Sequence, residues 1–161
     1  MAKDKIPVTP AVRLLRAQGV SFTPRPYDYE EKGGTARASR ELGEDEHRVI
    51  KTLLFEDEAR KPLIVLMHGD RQVSTKALAR ALGVRQINPC DPASVTRHTG
   101  YQVGGVSPFG TRHPLPVYVQ ESILELGAIL INGGKRGFLV EIDPAELLRV
   151  LGAKPVRACQ A

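Results

Sequence analysis

The chain has 161 residues, 42% of them hydrophobic and 25% charged, the mix of one globular domain able to bury a core without staples. Aromatic residues make up only 5% and tryptophan is absent, which argues against a broad stacking platform for single-stranded nucleic acid; the net charge of +5 fits a polyanionic partner such as RNA. Cys90 and Cys159 form no C-x-x-C and join no histidine at zinc spacing, so no metal is expected and a reducing cytoplasm is the simple setting.

The opening Met-Ala-Lys-Asp-Lys leads into no apolar signal-peptide core, and no run approaches membrane-spanning length. Thr9 can cap a first helix with Pro10 at its first position, Val12, Leu14 and Leu15 on its apolar face, and Gly19 as its stop. Phe22 to Tyr29 reads as extended chain, and Pro24 and Pro26 put it at a sheet edge or make it irregular. Gly33-Gly34 turns the chain, and Thr35 can cap a second short helix ending near Gly43. Val49 to Phe55 and Pro62 to Met67 read as strands of a hairpin around the polar Glu56 to Arg60. Ser74 to Leu82 is helical with Gly83 as stop, Val84 to Ile87 is a short strand, and Asp91-Pro92 opens another helical turn. Leu115 to Val119 and Ala128 to Ile131 look extended. Asn132-Gly133-Gly134 signals a turn, Phe138 to Ile142 returns as a strand, and Asp143-Pro144-Ala145-Glu146 resembles a capping box for a last helix to Leu151. Helices interleave with hairpin-length strand pairs. That predicts a single α+β domain with a mixed sheet or partly closed barrel, not a doubly wound sheet.

Three segments could carry chemistry. Thr99 to Gly110 holds four glycines, a proline and two aliphatic hydroxyl side chains in twelve residues. It can be a tight connection, or a nest of N–H groups aimed at a carbonyl or phosphate oxygen. It is no P-loop, because Thr111 stands where the lysine is needed. In Val49 to Phe55, period-2 alternation puts Val49, Lys51, Leu53 and Phe55 on one face and Ile50, Thr52 and Leu54 on the other. Lys51 therefore sits among apolar neighbours, either snorkelling to water or held for an anionic ligand. Asn132 to Gly137 is a hairpin turn with solvated charges, or a cationic turn for a phosphate or an RNA 3′ end. The four histidines are scattered and read as surface or loop residues. Cys90 reads as structural, and no G-x-S-x-G or H-E-x-x-H occurs.

Lys51-Thr52-Leu53-Leu54, Thr99 to Gly110 and Gly133-Gly134-Lys135-Arg136-Gly137, in this order and spacing, closely resemble the YbaK/EbsC family, which is similar to the editing domain inserted in bacterial prolyl-tRNA synthetases. The resemblance spans nearly the whole chain from Thr9-Pro10-Ala11-Val12. It implies one α/β domain over residues 1–161, with a mixed, barrel-like sheet and surrounding helices, and hydrolysis of mischarged aminoacyl-tRNA in trans without a cofactor. The YbaK branch acts on Cys-tRNA(Pro), with Cys-tRNA(Cys) as a further candidate here; relatives act on alanyl or other small aminoacyl groups. The resemblance makes Lys51 the principal functional residue, Gly104 to Pro108 the pocket loop and Tyr27 a pocket tyrosine. The catalytic set expected is Lys51 with backbone N–H groups at Gly104 and Gly105; the substrate-binding set is Tyr27, Thr52, Ser107, Pro108, Asn132, Gly133, Gly134, Lys135 and Arg136. The nucleophile is then water or the thiol of a cysteinyl substrate. Three positions depart from the YbaK branch: Asn132 replaces a serine, Leu139 replaces an aspartate, and Gly33-Gly34 replaces an aromatic near the second helix. The expected partners are aminoacyl-tRNA and prolyl-tRNA synthetase, with neither membrane nor DNA. A non-catalytic tRNA-binding module and a small-ester hydrolase are the rival classes.

Overall fold

A computed structural model describes residues 6–161; the first five, on which the signal-peptide expectation partly rests, lie outside the described residues. The described residues form five α-helices: α1 (Pro10–Ala17), α2 (Gly34–Leu42), α3 (Thr75–Leu82), α4 (Pro92–Thr99) and α5 (Ala145–Leu151). Eight strands are formed: β1 (Thr23–Pro26), β2 (Val49–Asp57), β3 (Pro62–His68), β4 (Ile87–Pro89), β5 (Val117–Gln120), β6 (Ile129–Lys135), β7 (Phe138–Ile142) and β8 (Lys154–Val156). They make one sheet in the order β1-β7-β6-β2-β3-β5-β8, with β4 added to β2. The β1·β7, β7·β6, β2·β3 and β2·β4 pairs are antiparallel, while β2·β6, β3·β5 and β5·β8 are parallel, so the predicted mixed α+β sheet is the one that forms. The proline-bearing β1 is an edge strand, where two missing N–H donors are tolerated.

Alternation along β2 and β3 divides the core. Ile50, Leu54, Ile64 and Leu66 face one side, where Ala11, Val12 and Leu15 of α1, Val95 of α4 and Leu147 of α5 close over them. The opposite side carries two separate patches. One joins Phe55, Val65 and Met67 to Leu78 and Ala79 of α3. The other joins Val49, Leu130 and Leu139 to Ala38 of α2, with Tyr27 packed against it. Being covered on both faces, β3 has no polar alternation from Leu63 to Met67.

Four local expectations are corrected. The strand near residue 84 begins only at Ile87, because the amide of Val84 returns to Ala79 O (3.0 Å) and those of Arg85 and Gln86 are taken by the Glu58 carboxylate. Thr35 does not cap α2; its hydroxyl reaches the Glu46 carboxylate (2.7 Å). Asn132-Gly133-Gly134 is no turn: β6 runs through it to Lys135, and the register slips between Asn132↔Leu139 and Lys135↔Phe138, leaving Arg136-Gly137 as the turn. At the last helix Asp143 Oδ1 accepts the Ala145 amide (2.9 Å), but Glu146 pairs with Arg149 instead of completing a box.

Thr9 caps α1 as expected, accepting the Val12 amide at 3.0 Å, and its hydroxyl also donates to Gly133 O at 2.6 Å. One side chain thus ends a helix and ties it to β6. Thr9→Ala is expected to cost about 1–2 kcal/mol, read as a lower urea midpoint at unchanged m-value, whereas Thr9→Ser keeps both bonds and most of the stability.

Candidate active site

Two strands meet β2 on the same edge. β6 pairs only with its start, at Val49 and Ile50, and β4 only with its end, from Phe55 to Asp57. The edge opens between them, beginning at Lys51. Lys51 is on the face predicted, and its neighbours explain its setting: Val49 belongs to the α2 patch and Leu53 packs against the α3 patch. The lysine stands in the polar gap between the two. Its ammonium donates to the Arg71 carbonyl at 2.5 Å. Burial pulls its pKa below the ordinary lysine value, and the nearby Glu46 and Asp70 carboxylates partly restore it. Asn132 and Lys51 each follow the last β2·β6 pair, Ile50↔Ile131, so strand alternation puts both on one face, and Leu139 of β7 is paired opposite Asn132.

The two glycine segments come together beside this edge. Asn132 Nδ2 donates to Gly104 O (3.2 Å), while its Oδ1 accepts the amides of Gly134 (2.7 Å) and Lys135 (3.1 Å). Those partners fix the side-chain amide orientation, since one end must donate and the other accept. Serine cannot bridge in both directions with such reach, which gives Asn132 a local reason for being there. Arg136 Nε donates to Val103 O (3.0 Å), and its guanidinium lies over the Tyr29 ring, 5.5 Å from the centroid. Gly104 has φ +93, which favours glycine, and a Cβ there would meet the Tyr29 hydroxyl oxygen at 2.5 Å. Tyr27 is half-buried next to Tyr29; burial and then Tyr29 push its phenol pKa up.

Other expected site residues have structural duties. The Gly105 amide donates to Gln102 O (2.8 Å) inside the loop, so it is no free oxyanion donor. Ser107 is fully buried and its hydroxyl accepts the Phe109 amide (3.1 Å); Pro108 is buried beside it. Thr52 points to the opposite face from Lys51, and its hydroxyl is buried without a partner. Gly133 and Gly134 give close packing: a Cβ would meet the Phe138 ring at 2.4 Å in one case and Tyr101 Cε1 at 2.8 Å in the other. Lys135 and Arg136 are exposed.

Between the segments lies a cleft of about 330 Å³ lined by Gly100, Tyr101, Gln102, Gly105 and Gly134 to Arg136. Its floor is Tyr101, whose hydroxyl donates to Phe109 O (2.6 Å) and whose pKa burial pushes up to about 12. A larger groove of about 540 Å³ at the far end of β2 sets Glu56, Asp57, Glu58 and Asp91 against Arg60 and Arg97, a net acidic lining that is a poorer match for a polyanion. The half-buried Cys90 adjoins it; burial, then Glu56, raise its thiol to about 11, so it is protonated at neutral pH. Tyr29, Tyr101 and Thr9 were not marked as site residues by sequence. The Tyr27-x-Tyr29 spacing was the available signal for one of them, while the other two are joined to the site only by tertiary contacts. The expectation for the histidines fails at His68, which is 1% exposed at the end of β3. Among the described residues no cluster of His, Cys, Asp or Glu could hold a metal ion, and no helix is long and apolar enough to cross a membrane.

The model of the aminoacyl-tRNA editing domain family matches residues 30–150. The chain is 29% identical over 150 residues to EbsC of Enterococcus faecalis, provisionally named a Cys-tRNA(Pro)/Cys-tRNA(Cys) deacylase, and 92% of each chain is covered. It is 30% identical over 115 residues to the proline–tRNA ligase of Moorella thermoacetica, a match that covers 71% of this chain and 20% of that protein. Among solved structures, one described provisionally as a trans-editing enzyme for prolyl tRNA synthetase superposes with a TM-score of 0.81 at 24% identity, covering 96% of this chain and all of that one. The shared fold and the family match over most of the chain lead to one conclusion: the chain belongs to the aminoacyl-tRNA editing domain family, and its reaction class is hydrolysis of an aminoacyl-tRNA ester.

Proposed function

We propose that this protein edits in trans, removing a small aminoacyl group from tRNA(Pro), with cysteine first and alanine second. The observation that supports it most is the joining of the two glycine segments by Asn132 and Arg136 beside the opening of β2 at Lys51. The tRNA 3′ end enters at the cleft over Tyr101, with Lys135 and Arg136 near its phosphates. Lys51 keeps one N–H on the Arg71 carbonyl and turns the other two to hold the terminal phosphate or polarise the ester. The oxyanion is met by main-chain N–H groups next to Gly104 and not by that of Gly105, which the loop has consumed. The nucleophile is water or the substrate's own thiol. Ser107 is sealed in the loop, and Cys90 is a protonated thiol at the other groove.

Specificity follows from Leu139. It is buried with Val49, Leu130 and Ala38 on the face that carries Lys51 and Asn132. Apolar packing behind that face, where the YbaK branch has an aspartate, suits a thiol or methyl group and offers a serine hydroxyl no partner. Deacylation of Cys-, Ala-, Ser- and Pro-tRNA(Pro), with Cys-tRNA(Cys) alongside, tests this. The expected order is Cys and Ala well above Ser and Pro; rapid loss of Ser would rule out the Leu139 packing as the selector. Similarity to proline–tRNA ligases is consistent with prolyl-tRNA synthetase as a partner and with a cytoplasmic setting. A panel repeated with the synthetase added checks the association.

A further inference from the structure

From the last residue of β3 the chain passes beside Lys51 as His68-Gly69-Asp70-Arg71, and each of these residues is fixed by a neighbour. The His68 ring lies flat against that of His47, centroids 3.7 Å apart and 5° from parallel. Its Nδ1 faces the His47 carbonyl at 2.8 Å, and a carbonyl only accepts, so Nδ1 carries the proton. In the neutral ring Nε2 then accepts from the Ser122 hydroxyl at 2.7 Å. Burial, ahead of the other influences, holds the His68 pKa down, and the second ring of the stack lies outside it, partly exposed. That outer ring, His47, donates from Nδ1 to Asp70 Oδ1 at 2.9 Å. Gly69 has no room for a side chain: a Cβ would stand 2.6 Å from Val49 O, 2.7 Å from Thr35 Oγ1 and 2.8 Å from Glu46 O. The loop is thus held by the histidine stack, by Asp70 and by packing on β2, and it ends at the carbonyl that receives the Lys51 ammonium.

We propose that Asp70 and His47 are positioning residues for the editing reaction, their pair fixing the 68–71 loop so that the Arg71 carbonyl sets where the Lys51 ammonium stands. The inference rests on Lys51 being the functional cation. A lysine on a four-carbon stem is a poor device for precise placement unless something fixes its end. The carbonyl supplies that point on one side, and the substrate approaches from the Asn132 side. Asp70 has a second effect through its charge. The groups whose charge bears on Lys51 are Glu46, Asp70 and Cys159; those bearing on Asp70 are His47 and Arg71. The active form of Lys51 is the cation, so activity is present below its pKa and lost as pH rises through it. Removing the Asp70 charge destabilises the cation and moves that alkaline limb to lower pH.

The test is kcat against pH for aminoacyl-tRNA deacylation, corrected for spontaneous ester loss, in the wild type, Asp70→Ala, Asp70→Asn, Asp70→Glu and Lys51→Ala. The expected result for Asp70→Ala is a loss of about tenfold in kcat with KM little changed. Asp70→Asn, which keeps an acceptor for His47, is expected to move the alkaline limb to lower pH, and Asp70→Glu to return it. An unmoved limb in Asp70→Asn overturns the proposal, as does wild-type kcat in Asp70→Ala. Should Asp70→Ala fail to fold, the Asp70→Asn limb decides alone. Lys51→Ala at the wild-type rate would instead remove the premise and overturn both readings, an outcome separable from failure at Asp70 with Lys51→Ala slow.

Discussion

Lys51→Ala is expected to lower the deacylation rate by about 10²–10³-fold, the loss typical of removing one preorganised electrostatic contact from a transition state. The fold should survive the change. The lysine's stem lies between two apolar patches rather than within either, and its ammonium makes one hydrogen bond, to Arg71 O. Removing it leaves one carbonyl without a donor in a partly exposed gap. Lys51→Arg should not restore full rate, because the planar fork is larger than an ammonium and cannot occupy the same point beside the Arg71 carbonyl. The wild-type alkaline limb is expected below the ordinary lysine range, since burial outweighs the support of Glu46 and Asp70. Single-turnover deacylation with thermal melting alongside separates chemistry from folding. A folded Lys51→Ala protein that clears aminoacyl ester at the wild-type rate would falsify the role assigned to this residue.

Much of this architecture was legible because local signals agreed with tertiary demand. Thr9-Pro10, Ser74 and Asp91-Pro92 each mark a helix start that forms, with side-chain caps to Val12, Ala77 and Ser94. Alternation at residues 49–55 groups Lys51 with Val49, Leu53 and Phe55, and these share a face in the fold. Several failures share a cause: the competing partner is distant in sequence. Thr35 had the composition of a cap, but Glu46 and Gly69 take its hydroxyl. Asn132-Gly133-Gly134 had the composition of a turn, but Asn132 binds Gly104, 28 residues away, and β6 is carried through the glycines by a bulge. Ser107 had the composition of a ligand-binding hydroxyl, but the loop must fold on itself around Phe109, which is fully buried. His68 ends an apolar run that gives no hint of its histidine and serine partners. For Thr35, Asn132 and His68 the deciding partner lies across the fold, and such a hydrogen bond leaves no spacing in the sequence; Ser107 is the local case, with its partner Phe109 two residues on.

Gly105→Ala and Gly104→Ala are expected to separate in their effects, although the residues are adjacent. At Gly105 a Cβ would stand 2.7 Å from the Arg136 amide nitrogen and 3.0 Å from the Lys135 carbonyl carbon, both main-chain atoms in a turn that cannot yield alone. The two glycine segments must move apart, and the Arg136–Val103 and Asn132–Gly104 bonds go with them. The stability loss is expected at about 1–3 kcal/mol, as for overpacking elsewhere in buried sites. The rate loss is expected at about 10²-fold, because the oxygen-binding backbone shifts relative to Lys51. At Gly104 the added carbon meets the Tyr29 hydroxyl, the far end of a side chain that can turn away, and the main penalty is a φ of +93 that an alanine tolerates poorly. Gly104→Ala should therefore keep the segments joined and raise KM through the displaced Tyr29 more than it lowers kcat. Urea titration and steady-state deacylation of both variants read the contrast. Equal kcat in Gly105→Ala and the wild type would mean that the contact between the two glycine segments is packing alone, and that the reacting ester sits elsewhere along the opening of β2.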